Sequence, residues 1–207
     1  MMIKTWILPA VAALGLTACV STNTAFPEPL RDDTTYNWRV VDVQATVPRT
    51  LTTTDRNGQM PNVDLIWSEE GVGDTHAQIE AIMEDTLAQA ATHFQSSIKG
   101  NRAVILRTEQ TQFHSLTPRA RSNIGGIHNV DFILTVVDAN TGEILAGPAA
   151  IESDVKAYGG AAANASIARG ETMRSRIVDR VSVVIASYLG IAGDQTVNNG
   201  RVVQLGR

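Results

Sequence analysis

Between residues 74 and 98 the apolar residues Ile79, Ile82, Met83, Leu87, Ala90, Phe94 and Ile98 recur at intervals of three and four. That spacing places them along one side of a helix, and a helix with one apolar side is stable only when another element covers it. Asp74 stands ahead of the stripe as N-cap, and Lys99-Gly100-Asn101 provides the stop. The neighbouring segments alternate with a period of two instead. Val41, Val43, Ala45 and Val47 share one parity within 38–47, ended by Pro48. His128 to Asp138 repeats the pattern with Val130, Phe132, Leu134 and Val136, and Asp138-Ala-Asn-Thr-Gly142 has the composition of a hairpin turn. These are half-buried strands.

Residues 103–114 read as a further strand, central at its start, and 143–158 as the return strand of the hairpin, weakened at Gly147-Pro148. Residues 49–73 read as a long loop with one short strand over Val63 to Trp67, and 117–127 as a loop. A second long helix is expected over 163–189, with Gly190 as its stop. The order strand, helix, strand, strand, strand, helix predicts an α+β two-layer sandwich. Its mostly antiparallel sheet has about four strands, with two long helices on one face and the first strand pair parallel through a right-handed crossover. The chain has 207 residues, 43% of them apolar, enough for one core. A net charge of −4 argues against a general nucleic-acid binder, which needs a basic surface.

The N-terminus carries an address. Lys4 precedes an apolar run from Thr5 to Leu16 that falls short of the roughly 20 residues needed to span a bilayer. The run ends in Leu16-Thr17-Ala18-Cys19, where Cys19 is the only cysteine. This resembles the bacterial lipobox, which implies a diacylglycerol on the Cys19 thiol, cleavage before it and acylation of the new amine. The other reading is an ordinary secretory leader with Cys19 a spare thiol. With Val20 and Ser21 after the cysteine and no Asp there, resemblance to Gram-negative lipoproteins implies the outer membrane, facing the periplasm. Cleavage would remove Lys4 and no acid, leaving the mature chain one unit more negative. The expected organisation is a signal peptide over 1–18, a lipid-anchored flexible tether over 19–37, one periplasmic domain over 38–192 and a mobile tail over 193–207.

The stretches Val63-Asp-Leu-Ile-Trp67, Phe113-His-Ser-Leu-Thr-Pro-Arg-Ala-Arg121, Gly125-Gly-Ile-His128 and Asp138-Ala-Asn-Thr-Gly142 resemble a family of alphaproteobacterial lipoproteins of unknown function. The resemblance implies an envelope address and a single domain, with no activity attached. The order of elements is also similar to that of periplasmic assembly lipoproteins, an analogy of fold only.

Three clusters are candidates for chemistry. His114 and His128 flank one loop and would lie opposite each other at its base if their strands pair; they could share a metal, with Glu109 and Asp131 as the nearest further ligands, or be two polar strand-end histidines. Arg119, Arg121, Gly125 and Gly126 in the same loop could hold a phosphate or carboxylate through guanidinium forks and backbone amides, or be a solvated loop whose arginines pair with acids. Arg169, Arg176 and Arg180 fall on one flank of the last helix, suited to an acidic partner or lipid headgroups, or to stems laid along the core edge. Arg174 lies nearer the apolar stripe and must find a carboxylate or escape past the end of the sheet. His76 is expected to have a satisfied hydrogen bond near its helix start, and Trp67 to be buried against the sheet or exposed as an anchor. Motifs for a nucleophile elbow, a zinc protease or a phosphate loop do not occur in the sequence. No cofactor is expected. The expectation is a non-enzymatic, outer-membrane-anchored interaction or assembly factor with an envelope protein partner; the alternative is a periplasmic small-anion or metal binder.

Overall fold

A computed structural model describes residues 22–54, 57–58, 61–123 and 125–191. Cys19 and the expected tail over 193–207 lie outside the described residues. The chain runs β1 (Thr24–Ala25), α1 (Asp32–Thr35), β2 (Trp38–Thr46), β3 (Leu65–Ile66), α2 (Thr75–Ser97), β4 (Arg102–His114), α3 (Pro118–Arg121), β5 (Gly126–Asp138), β6 (Ile144–Ala157), α4 (Gly160–Ala168) and α5 (Met173–Tyr188). The fold is mixed α+β.

The sheet order is β1-β6-β5-β4-β2, and β3 also pairs with β4. β2 and β4 are parallel, joined through α2, while β4, β5 and β6 are antiparallel. The sheet has six strands among the described residues, where about four were expected. β3 falls within the short strand expected over Val63 to Trp67, while β1 was not expected; each is two residues long, and two residues are too few for a period of two to register.

Alternation along the strands gives one buried and one open face. Val104 and Leu106 of β4, Val130, Phe132 and Leu134 of β5, and Ile151 and Val155 of β6 are all buried. The core is completed by α2 and α5, whose Ile79, Ile82, Leu87, Phe94, Ile177, Val181 and Ile185 are fully buried. Asp74 caps α2, its side chain accepting from the backbone N–H of His76 and Ala77. At the hairpin, Asp138 Oδ1 accepts from the N–H of Asn140 and Thr141, and Arg102 Nε donates to Oδ2 at 2.9 Å.

Three local expectations are corrected. The expected helix over 163–189 is two helices. Gly170 sits at φ +80°, a left-handed stop, and Thr172 then forms a capping box with Ser175 that starts α5. Ile167, within α4, is 51% exposed. The loop over 117–127 contains α3, which Pro118 opens and the Thr117 hydroxyl caps.

The third correction concerns the tether, which is not free over residues 22–37. β1 pairs antiparallel with β6, the Leu30 amide donates to the Tyr188 carbonyl at 2.8 Å, and Phe26 meets the Tyr188 ring edge-on at 6.4 Å. Gly190 makes this packing possible: a Cβ there would lie 2.4 Å from the Leu30 carbonyl oxygen. Ser, Thr and Pro composition suggested a solvated chain, but the β1 pairing, the backbone bonds of Asn23 and Leu30 and one aromatic contact hold it on the domain.

Candidate functional site

The expected loop lies at the end of the sheet where β4 leaves, β5 begins and β6 ends. His114 pairs with Asn129, one residue out of step with His128, so the two histidines point to opposite faces of the sheet. The expected facing pair is therefore not formed. His114 is half-buried on the open side, its Nε2 donating to the Val63 carbonyl at 2.5 Å. His128 is 1% exposed in the core. Among the described residues no three His, Asp, Glu or Cys side chains form a metal-ligating group.

On the covered side, Ser115 Oγ lies 3.1 Å from His128 Nδ1 and 3.7 Å from Met173 Sδ. Burial, with the Arg176 and Arg121 guanidiniums close by, pushes the His128 ring down to about 3. A serine beside a histidine invites comparison with a nucleophile and its base. Here the hydroxyl is itself buried, and a ring that holds its proton only below pH 3 is a poor acceptor at neutral pH. The pair serves as a satisfied polar contact within the core.

The arginines of the loop separate. Arg119 is exposed on α3, and its backbone N–H donates to Asn57 Oδ1 at 2.9 Å. Arg121 turns inward to the carboxylate of Glu69, 3.4 Å away. The two Glu69 oxygens also accept from the backbone N–H of Met173 and Arg174, each at 2.8 Å, so this acid occupies the N-terminus of α5. The Gly125 amide is engaged as well. Gly125 donates to the Ala120 carbonyl and Gly126 stands in register with Ala157. Gly125 has φ +79°, and a Cβ would lie 2.5 Å from the Ala157 carbonyl oxygen, so glycine is required there by close packing of the loop on the end of β6.

Arg174 finds its carboxylates in Glu70 and Asp85. His76 Nε2 meets the Leu51 carbonyl at 3.0 Å, and Trp67 is buried edge-on against Phe113. The three remaining arginines of the last helical region do gather. Arg169, Arg176 and Arg180 line a cleft of about 650 Å³ with Lys156, Tyr158 and Thr22. Arg176 stacks on the Tyr158 ring, 3.9 Å from its centroid, and donates to the Lys156 carbonyl at 2.7 Å. The Lys156 ammonium lies 5.8 Å from the same ring. Arg169 and Ser166 hold Glu171 well below the usual carboxylate range, at about 2.

Two residues central to this end of the molecule were not singled out from sequence. Glu69 reaches the start of α5 across 104 residues of chain, a separation at which no local pattern operates. Tyr158 precedes Gly159-Gly160, and its position at a strand end was its only signal.

The model for a family of unknown function, DUF6778, matches residues 38–205. The chain belongs to that family. No curated protein matches it. Among solved structures, the DUF6778 chain is similar to the PelC dodecamer from Paraburkholderia phytofirmans at 9% identity, over 79% of this chain and 96% of that one, with a TM-score of 0.34. It is similar also to protein XCC0632 from Xanthomonas campestris, of family DUF330, at 11% identity, over 75% and 83% of the two chains, with a TM-score of 0.44. No described helix is long and apolar enough to cross a membrane.

Proposed function

We propose that this DUF6778 protein is a bacterial lipoprotein, held in the outer membrane by acyl chains on Cys19 and facing the periplasm, that acts by binding as an interaction or assembly factor of the envelope. The observation that carries the reading is the leader itself: a short apolar run ending in Leu16-Thr17-Ala18-Cys19 on the only thiol of the chain. Two or more acyl chains anchor firmly where one does not. The partner surface assigned is the α3 tip, where Arg119 and Ser122 are exposed and Arg119 has a guanidinium to offer an acidic partner. Arg121 supports that tip from beneath through Glu69.

The experiment is crosslinking in cells, then detergent extraction and mass spectrometry of a tagged full chain, run for the native protein and for Cys19→Ser and Arg119→Ala. Cys19→Ser is expected to leave an uncleaved or mislocalised precursor, and Arg119→Ala to lose an envelope partner while keeping its anchor. Normal cleavage and membrane retention of Cys19→Ser would overturn the anchor; an unchanged partner set in Arg119→Ala would overturn the surface. A second reading, a binder of small anions, is favoured by the cleft of Lys156, Arg169, Arg176 and Arg180.

A further inference from the structure

The cleft and the start of the folded chain are neighbours. Thr22 lines it, and the Asn23 amide donates to Asp154 Oδ2 at 2.9 Å. Because β1 is antiparallel to β6, with Thr24 opposite Ser153, the chain read backwards from Thr24 follows β6 forwards, towards Lys156 and Tyr158. Cys19 is only three residues upstream of Thr22. At no more than about 3.6 Å per residue, that link spans at most about 11 Å.

A diacylglycerol on Cys19 would therefore sit within about 11 Å of Thr22 at the edge of the cleft, so the lipid surface is brought to the side of the domain that carries the cleft cations. The cleft holds four cations against three acids; Asp154 accepts from Asn23 and Asn129 and Asp179 from Gln89, while Glu171 is paired with Arg169. Tyr158 stands at the cleft with an aromatic ring and a phenol, the combination suited to a membrane interface. The opposite end of the sheet is one length of β5 away, about 40 Å for a strand of 13 residues.

We propose that this cleft is the face on which the domain rests against anionic lipid headgroups, held there by the three-residue link to Cys19. This rests on the anchor reading and adds an orientation: Lys156 and Arg180 meet lipid phosphates, and the β5–β6 hairpin tip points away from the bilayer.

The chain carries its own controls, since the mature sequence has two lysines, Lys156 in the cleft and Lys99 at the far end beside the start of β4. The test couples the mature chain through Cys19 to a maleimide phospholipid and compares vesicles of pure phosphatidylcholine with vesicles containing phosphatidylglycerol. Acylation of each lysine by a water-soluble ester is followed by mass spectrometry. Lys156 is expected to react several-fold more slowly on the anionic vesicles, with the protection lost in 1 M salt, while Lys99 changes by less than twofold. Unprotected Lys156, or Lys99 protected as much, would overturn the orientation. Equal protection of Lys156 by millimolar inorganic phosphate without vesicles would assign the cleft to free anions and overturn it too. Because the lipid is supplied chemically, these outcomes are independent of whether cells acylate Cys19, which the mass of the native N-terminus reads separately.

Discussion

His128 and Asp131 lie three residues apart on β5 and face opposite sides of the sheet, and burial moves their titrations in opposite directions. His128, against the helices, is held neutral, its ring pushed down to about 3 by burial and by Arg176 and Arg121. Asp131, on the open face, is only partly buried, yet its carboxyl is raised to about 6 by that burial and by Glu152 and Asp154. Glu152 is its register partner on β6, so like charges stand directly opposite, an unfavourable cross-strand pair. The covered face admits polarity in neutral form, as with Ser115 and His128. The open face carries charge and collects repulsion.

The sharpest way to break this comparison is by truncation. Phe132 is 1% exposed and packs in the core, whereas the next residue, Ile133, is half-buried on the open face. Phe132→Ala is expected to cost about 3–5 kcal/mol and Ile133→Ala about 1 kcal/mol. Urea unfolding of both variants at one pH measures the difference. Equal losses would mean that the open face is covered by something the single chain does not supply.

Most residues whose neighbours are set by period were legible in advance, Val41 excepted, which a bulge after Val40 leaves 45% exposed; those set by long-range contact were not. The α2 stripe, its Asp74 cap, the parallel first pair and the Asp138 turn all follow from local spacing and turn chemistry. The break at Gly170 was legible too, since Gly followed by Thr two residues on is a stop and a start, but the apolar stripe was read through it. The placement of the histidines needed the β4–β5 register. A bulge between Gln110 and Gln112 shifts that register by one, and a one-residue shift exchanges faces. Arg121 was visible as a cation, but its partner Glu69 lies in another loop, so its structural role was hidden. The clustering of Arg169 and Arg176 survived the broken helix because Glu171 pairs with both.

The second expected effect is acid lability from the covered face. In the unfolded chain His128 binds its proton near 6.5, but in the folded chain only near 3. Between those values the unfolded state holds more protons, so the contribution of His128 is complete above pH 6.5 and is lost as pH falls towards 3. The slope is about 1.4 kcal/mol per pH unit. His128→Leu is expected to flatten this limb of the stability profile, at the cost of leaving Ser115 without its ring partner. Imidazole signals followed by NMR should show His128 still neutral at pH 4.5. A ring titrating near 6 would place it outside the dry core and undo the contrast between the two faces.

Asp131 gives the smallest effect, with the opposite sign. Its folded titration lies above the ordinary value of 3.8, so the folded state holds the extra proton between pH 3.8 and about 6. Stability from this residue falls as pH rises through that window and stays low above it. Asp131→Asn keeps an oxygen for the Ser153 amide and removes the repulsion from Glu152 and Asp154. It is expected to stabilise the protein at pH 7.5 by about 1 kcal/mol, allowing for solvent screening at a partly exposed site, and to have no effect below pH 3.5. In the native protein this term opposes that of His128 between pH 6 and 4, so Asp131→Asn should also steepen the loss of stability on acidification. A variant equally stable at both pH values, with an unchanged acid limb, would show that the open face carries no excess repulsion and that only the covered face responds to pH.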